Sequence, residues 1–548
     1  MCIVIICATL FYGNLLLAKD INIQHVRCDT DYHRIVDFVQ LSNGGGAFGV
    51  GIIKDSSSTD PDTLEHWNAR LIKYDANWNT IWEKSFGGNK ADQFSLIRYI
   101  GGNRLLIGGQ TVSTDGDVSY GWNCGVGNIW LCIIDTNGNF LHGLTWGCGS
   151  TTELLDMDIA KDGSIYCTGQ TYAENGDFAN NTGPSLVSNT YLGRADSLLN
   201  KKWMKVLAGD QSDAAFSMAI NQSDQVILSG YGLSNNGDYA GCTGAGRQVI
   251  MCIDSSQNII WKRRYGDPNS NSPTFPLRTI IDSVNGDIYC ISSIDTKGGD
   301  CADTNYSYLN EYGSRYSWIM RLDSVGNKIW SRIYGGFVPN ITDPRPSVSA
   351  SGAFLLDNHL WVLNTVYRDY GDNHDLGNDT GGIWLLRLDS NGNIINKLRC
   401  LNKYVNDGFS EKLKRVSGFD IGYMLIQTGT APQYTNALDC KKKDMNVDLN
   451  ESSLIYRLNL WPTGIPEIIE QEEQVFIYPN PADDKITVAF EENGNRSIEV
   501  YTTEGKRIYI SKQKRKTCEI DTHSWASGTY IVLVKSDKNK TTKKIIIQ

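Results

Sequence analysis

Tyr316 to Gly336 reads YSWIMRLDSVGNKIWSRIYGG. Trp318, Met320 and Leu322 stand at every second position, flanked by Ser317, Ile319 and Arg321, the signature of a strand, and Asp323 then opens a turn. Gly326-Asn327 is expected to supply the left-handed geometry of a tight hairpin, and Ile329 to Tyr334 runs back as a second strand. The same Asp recurs at Asp75, Asp135, Asp196, Asp254, Asp323 and Asp389, with Asn459 as a weaker version, at intervals of 60, 61, 58, 69, 66 and 70 residues. A period of this size marks stacked or radially arranged supersecondary units.

Large residues keep fixed places in the unit. Trp130, Tyr191, Val249, Trp318 and Trp384 stand five before the Asp; Trp82, Trp203, Trp261 and Trp330 stand seven after it, with His142 and Asn396 as departures. A large apolar residue at a constant strand position suits packing between neighbouring units better than a binding platform. One unit reads in full: a strand over Ser95 to Ile100, a turn at Gly101-Gly102-Asn103, a strand over Arg104 to Thr111, and a long loop from Val112 to Gly127. Strands over Asn128 to Ile134 and Phe140 to Trp146 follow, with Asn137-Gly138-Asn139 between them. Four antiparallel strands repeated around an axis make a β-propeller blade, and radial closure protects the edges.

The stretch Asp20 to Asp37 lines up with Thr80 to Arg98, an outer strand running into a first strand, so the unit opens on an orphan fourth strand. The last unit, Phe409 to Leu460, has three strands. The orphan is expected to complete it. The fold class is therefore all-β, a seven-bladed propeller over 19–461, with six or eight blades if one irregular unit is miscounted. Units of the form Gly-Asp…Trp-x-x-x-x-Asp…Gly-Asn-x-x-Trp…Gly-Gly resemble the degenerate propeller repeats of secreted Bacteroidetes proteins.

Outside the repeats, Met1 to Ala18 is uncharged and mostly apolar and reads as a signal peptide without the usual basic start. Ile6 before Cys7 does not suit a lipoprotein, and no other stretch approaches the roughly 20 apolar residues of a membrane-spanning helix. The formal charge of −10 lies on the body, because four Glu in the linker 462–474 offset the +4 of the tail. An acidic body disfavours nucleic acid and anionic membrane. The 14 cysteines show no zinc spacing. Cys132 and Cys252 read as buried hydrophobes, and Cys124 and Cys242, in matching loops, as disulfide candidates.

Residues 475–548 change pattern to short alternating strands, a small β-sandwich. Tyr478-Pro479-Asn480-Pro481, Glu504-Gly505-Lys506, Gly528-Thr529-Tyr530 and Lys543 to Ile547 follow in order. This tail resembles the type A C-terminal sorting domain of the type IX secretion system. The resemblance implies periplasmic transit, recognition by that machinery and removal of the tail in or near the linker. Release, or attachment to the cell surface, would follow.

No His-Glu-x-x-His or Gly-x-Ser-x-Gly element is present, and Gly44 to Gly49 fits a dinucleotide pattern only literally, between strands with no helix after it. The repeated polar feature is a Gly-Asp in the long second-to-third-strand loops: Asp115 and Asp117, Asp177, Asp238, Asp300 and Asp372. Those loops share one face, opposite the tight turns, and their Asn, Asp, Tyr and Gly content suits a glycan, an extracellular protein or a weak Ca²⁺ site. Turn and capping chemistry copied with the repeat is the plainer alternative. The expected function is binding at the cell surface. The alternatives are a polysaccharide hydrolase or lyase using funnel carboxylates, which needs two carboxyls about 5–10 Å apart, and a structural envelope protein.

Overall fold

The computed structural model describes residues 24–30, 33–41, 46–54, 67–119, 127–147, 149–270, 274–296, 298–301, 316–335, 348–356, 358–366, 382–401, 412–415, 421–428, 452–459, 475–490, 494–502, 506–536 and 540–548. The segment 1–18, the linker 462–474, Asp372, Cys124, Gly505 and the start of the Gly44 to Gly49 run lie outside them. Contacts divide the chain between Trp461 and Pro462.

The first unit begins with β1 (Gln24–Thr30). Four-stranded antiparallel sheets follow in chain order. Sheet one is β2 (His33–Gln40), β3 (Ala47–Lys54), β4 (Trp67–Tyr74) and β5 (Thr80–Phe86). Sheet two is β6 (Asp92–Tyr99), β7 (Arg104–Thr111), β8 (Asn128–Asp135) and β9 (Phe140–Trp146). Sheet three is β10 (Thr152–Ile159), β11 (Ile165–Thr171), β12 (Asn189–Ala195) and β13 (Lys201–Leu207). Sheet four is β14 (Asp213–Ile220), β15 (Val226–Gly232), β17 (Gln248–Ile253) and β18 (Ile259–Tyr265), with the two-residue β16 (Thr243–Gly244) laid parallel on β18. Sheet five is β19 (Phe275–Ile281), β20 (Ile288–Ile294), β21 (Tyr316–Leu322) and β22 (Lys328–Tyr334). Sheet six is β23 (Val348–Leu356), β24 (His359–Val366), β25 (Gly382–Leu388) and β26 (Ile394–Leu401). Sheet seven is β27 (Lys412–Arg415), β28 (Ile421–Thr428) and β29 (Ser452–Asn459), with β1 paired antiparallel to β29.

First strands lie innermost. β2 packs on β6, β6 on β10, β10 on β14, β14 on β19, β19 on β23 and β23 on β27, and β2 returns to β28 and β29. The ring closes and its last sheet is stitched from both ends of the unit, a β-propeller. The first strands run longer than the alternation suggests. β6 begins at Asp92 rather than Ser95, because each first strand but the last carries a bulge that interrupts the two-residue period: Ile35/Asp37, Phe94/Leu96, Leu154/Asp156, Ala215/Ser217, Pro276/Arg278 and Ala350/Gly352.

The repeated Asp organises the outer hairpins. Asp323 Oδ1 accepts the N–H groups of Val325 (3.0 Å) and Asn327 (2.7 Å), and the Asn327 amide donates to Oδ2 (2.8 Å). Asp75, Asp135, Asp196, Asp254 and Asp389 do the same with the Asn four residues on. The Asn79 and Asn258 amides hold Asp75 and Asp254 below the usual carboxylate range. Left-handed backbone falls only on the residue three after the Asp, so Asn327 serves by hydrogen bonding and not by its φ. Gly138, Gly326 and Gly392 occupy that place at φ near 80°, and Trp78, Leu199 and Gln257 at 64°, 62° and 71°.

Packing runs between sheets. Trp318 is buried with Ile227, Ile250 and Cys252 of sheet four and Cys290 and Met320 of its own. Trp130 joins Phe48 and Val50 to Ile107 in the same way, and Tyr191 joins Leu131 to Cys167. Each such burial stabilises by roughly 1.5–3 kcal/mol. The second set of tryptophans clamps the next hairpin: the Trp330 indole N–H donates to the Ser390 carbonyl at 2.8 Å, and the Trp261 ring lies against Gly326. Cys132 and Cys252 are buried free thiols. Cys242 is free as well, beside the Arg264 guanidinium, so the expectation of a disulfide at Cys242 is corrected.

Gly326→Ala would force an L-residue into the left-handed region and set a Cβ 2.8 Å from the Trp261 ring. It should lower stability by about 1–2 kcal/mol, whereas Gln257→Gly, which relieves the same strain, should leave stability unchanged or raise it by a few tenths. Urea midpoints of the propeller transition measure both.

Candidate functional site

The face carrying the long loops is held by one repeated contact. Gly116–Val118, Gly176–Phe178, Gly237–Tyr239 and Gly299–Cys301 each form a single 3-10 turn after a second strand. The turn's Asp accepts an N–H from the end of the preceding sheet's outer strand: Gly87 to Asp117 (3.1 Å), Gly147 to Asp177 (3.1 Å), Ala208 to Asp238 (2.9 Å) and Gly266 to Asp300 (3.3 Å). The Asp backbone N–H donates back to the carbonyl of that same residue at 2.9–3.2 Å. The glycines hold φ of 55–61°, and a Cβ on any of the four would run into the accepting carbonyl or, at Gly176, meet the same left-handed strain. The third residue, Val118, Phe178, Tyr239 or Cys301, is buried between sheets. Asp177 also pairs with Lys201 at 2.8 Å, Asp300 pairs with Lys328, and Asp115 Oδ1 accepts the Asn89 N–H at 2.9 Å.

Each of these sequence-selected acids thus serves its own seam. Among the described residues no three His, Cys, Asp or Glu side chains gather as a metal site would require. Behind the turns, Asp213 is fully buried; burial lifts it to about 6 while the Ser234 hydroxyl and N–H oppose the rise.

The axis carries a second polar set that the sequence reading did not select. Asp37 accepts the N–H groups of Phe38 (2.9 Å) and Ile97 (3.1 Å) and meets Arg98 Nη1 at 3.4 Å. Asp156 accepts from Met157 (2.9 Å), Met218 (3.0 Å) and Arg98 Nη2 (3.1 Å). The Ser217 hydroxyl accepts the Thr279 N–H at 2.9 Å. The residue after three of the bulges, Asp37, Asp156 and Ser217, thus reaches the next inner strand. Asp37 and Asp156 face each other across Arg98, but every one of their oxygens is engaged by a donor. Burial raises Asp158 nearby, with Arg98 opposing.

Nearer the long-loop face, the inner and second strands present larger polar arms. Gln93 donates to Gln110 (2.6 Å), Gln110 to the Thr152 carbonyl (3.0 Å) and Gln170 to Glu153 (2.7 Å). Phe216 and Tyr231 lie with centroids 5.7 Å apart on the adjoining sheet. In sheets five and six Ser293 and Ser349 hydroxyls meet at 3.0 Å instead. The one available signal was a polar or aromatic residue at the same place near the end of three second strands, Gln110, Gln170 and Tyr231.

The tail forms two sheets. One is β30 (Val475–Tyr478), β31 (Lys485–Phe490) and β34 (Thr517–Asp521); the other holds β33 (Arg507–Gln513), β32 (Arg496–Thr502), β35 (Gly528–Ser536) and β36 (Lys540–Ile547). Ile486, Val488 and Ile520 pack with Val500, Val532 and Ile545 between them. The signature residues hold the last strand. Asn480 accepts the Ile546 N–H (2.8 Å) and donates to the Lys544 carbonyl (3.1 Å). Ala482 bridges Ile547, and the Tyr530 hydroxyl donates to Ala526 (2.7 Å). Gly528 adopts φ 156°. Tyr478 is exposed, and Pro479 and Pro481 both follow cis bonds. On the outer face Glu499 is buried beneath Lys535 (2.7 Å), Tyr501 and Arg507 (3.6 Å); the hydrogen bonds from Lys535 and Tyr501 lower it to about 2.

Two measurements follow from these contacts. Asp238→Ala strips the acceptor from the Ala208 N–H and should cost about 1–2 kcal/mol, read as a lower melting temperature of the propeller. Glu499 has its acidity strengthened in the fold, so its contribution is complete above pH 4.5 and is lost as pH falls toward 2. Glu499→Gln should lower the tail's stability by about 1–3 kcal/mol at pH 7 and flatten its acid dependence across that window.

Residues 476–548 match the secretion system C-terminal sorting domain. A search of the curated proteins finds no match. Among solved structures, PorZ, an essential bacterial surface component of the type-IX secretion system of Porphyromonas gingivalis, aligns at 13% identity over 92% of this chain and 69% of its own, with a TM-score of 0.30. YCF48 bound to D1 peptide aligns at 10% identity over 79% and 94%, TM-score 0.39. The Neurospora crassa Pan2 WD40 domain aligns at 7% over 80% and 96%, TM-score 0.41. These likenesses are too distant to add to the strand topology. Among the described residues no helix is long and apolar enough to cross a membrane. The chain is a β-propeller protein that carries a type IX secretion C-terminal sorting domain, which directs it to the cell surface or beyond.

Proposed function

We propose that the propeller is an exported binding module that holds a glycan or an extracellular protein on its long-loop face. Met1 to Ala18 would carry it to the periplasm, and the tail would be removed in or near 462–474 after recognition by the secretion machinery. The carrying observation is the asymmetry of the two faces. On one, the long connections that follow Thr111, Thr171 and Gly232 start from Asp-anchored bases; on the other, hairpins of a few residues are closed by their own Asp and Asn. A rigid scaffold with long connections on one face is the usual arrangement for recognition. The clasped acids support the loops from below; direct contact with ligand, or with Ca²⁺, would come from the loop segments above them. Asp372 belongs to this set by its sequence position.

The test is retention of the full chain on immobilised polysaccharides and extracellular matrix proteins, with Ca²⁺ and with chelator, while soluble products are assayed. Retention without products is expected. Combined replacement of Asp115, Asp117 and Asp372 by Ala should weaken it severalfold. Unchanged retention in that variant counts against this face, and release of new saccharide products would replace binding by catalysis.

A further inference from the structure

We infer that the ligand is an uncharged saccharide and that it is held at the axial mouth by one arc of three sheets; the inference rests on the binding function proposed above. The arc is Gln93, Gln110, Glu153, Gln170, Tyr231 and Phe216. It is continuous: Gln93 reaches Gln110, Gln110 reaches the backbone of Thr152, Glu153 holds Gln170, and the next sheet supplies the aromatic pair. All six side chains are half-buried, five near the ends of inner and second strands and Phe216 at the β14 bulge, so the sheet fixes them without covering them.

Three features select the ligand class. Carboxamides and a carboxylate offer donors and acceptors side by side, which complements vicinal hydroxyl groups. Tyr231 and Phe216 add an apolar surface with one polar handle, suited to the C–H face of a pyranose. None of the six is cationic, and Glu153 carries a carboxylate, so a phosphate, sulfate or uronate would meet repulsion from the arc and no counter-charge among the six. Of the inner-strand arginines, Arg98 is occupied by Asp37 and Asp156 deeper along the axis, and Arg278 bears on Asp158. Opposite the arc, the described side chains at the corresponding places in sheets five and six include Ser293, Ser349 and Thr365, with Ser349 paired to Thr365. A few polar groups with an apolar patch in a concave mouth is the ordinary composition of a small-ligand site.

The full chain is titrated calorimetrically with cellohexaose, maltohexaose and mannohexaose, with polygalacturonate as the anionic counterpart. Binding of at least one neutral hexaose is expected. Glu153→Gln, which keeps the shape, and Tyr231→Ala should each weaken it by about tenfold or more. Chelator should leave it unchanged. Melting temperature confirms that each variant is folded; if Tyr231→Ala is not, Glu153→Gln decides. Neutral binding unaffected by both variants overturns the inference, as does preference for polygalacturonate. Retention of a matrix protein with no hexaose binding also overturns it while leaving the binding function intact; no binding by the unmodified chain to any of these removes both.

Discussion

A ring of sheets stands or falls at its seams, and here one exchange of hydrogen bonds closes four of them. The Gly87 N–H meets the Asp117 carboxylate while the Asp117 N–H meets the Gly87 carbonyl, and the pattern repeats at three further seams. Bonds to an ionised acceptor are the stronger kind, and pairing both backbone groups of a strand end leaves neither unsatisfied where sheets meet. The preceding glycine allows the approach and the following Val118, Phe178, Tyr239 or Cys301 fills the gap beneath. Three consecutive residues thus lock a seam, seal it and set the base of a loop. The loop above can then vary in length without moving the ring.

The axis obeys the same rule from inside. Each of the first six inner strands carries a bulge, and in three of them the residue after it, Asp37, Asp156 or Ser217, accepts an N–H of the next sheet. Arg98 then balances two of the carboxylates, which keeps buried negative charge from accumulating. These groups are committed to structure. The arc from Gln93 to Tyr231, one step nearer the long loops, bonds mainly side chain to side chain and keeps polar capacity facing the axis.

Much of this was legible in the sequence. The 58- to 70-residue recurrence of Asp, the Trp pairs flanking it and the orphan strand before Asp37 describe the sheets, their packing and the pairing of β1 with β29. Order in the tail motifs identified the sorting domain, although the roles of Asn480 and Tyr530 as fasteners of the last turns needed coordinates. The axial residues were not legible. Gln93 and Glu153 lie two-deep in first strands whose bulges break the alternation, so their direction cannot be read from the period. Cys242 misled because a loop position in an exported chain says nothing of a thiol within reach, and its neighbour is Arg264.

The loop acids show how far the same letters serve two readings. A Gly-Asp repeated on one face describes a ligand ring and a set of seam clasps equally well, since both need a carboxylate at a left-handed turn. Spacing separates them. From Asp117, Asp177 and Asp238 back to the backbone each one grips is 30 residues every time, and from Asp300 it is 34. From the same acids forward to the next hairpin Asp the distance ranges from 16 to 23 residues. A group that belonged to the loop tip would drift with loop length in both directions. One that belongs to the seam keeps its distance to the strand it fastens, because only that segment is fixed by the pairing of two sheets; variation is confined to the chain beyond it, where recognition has room to differ.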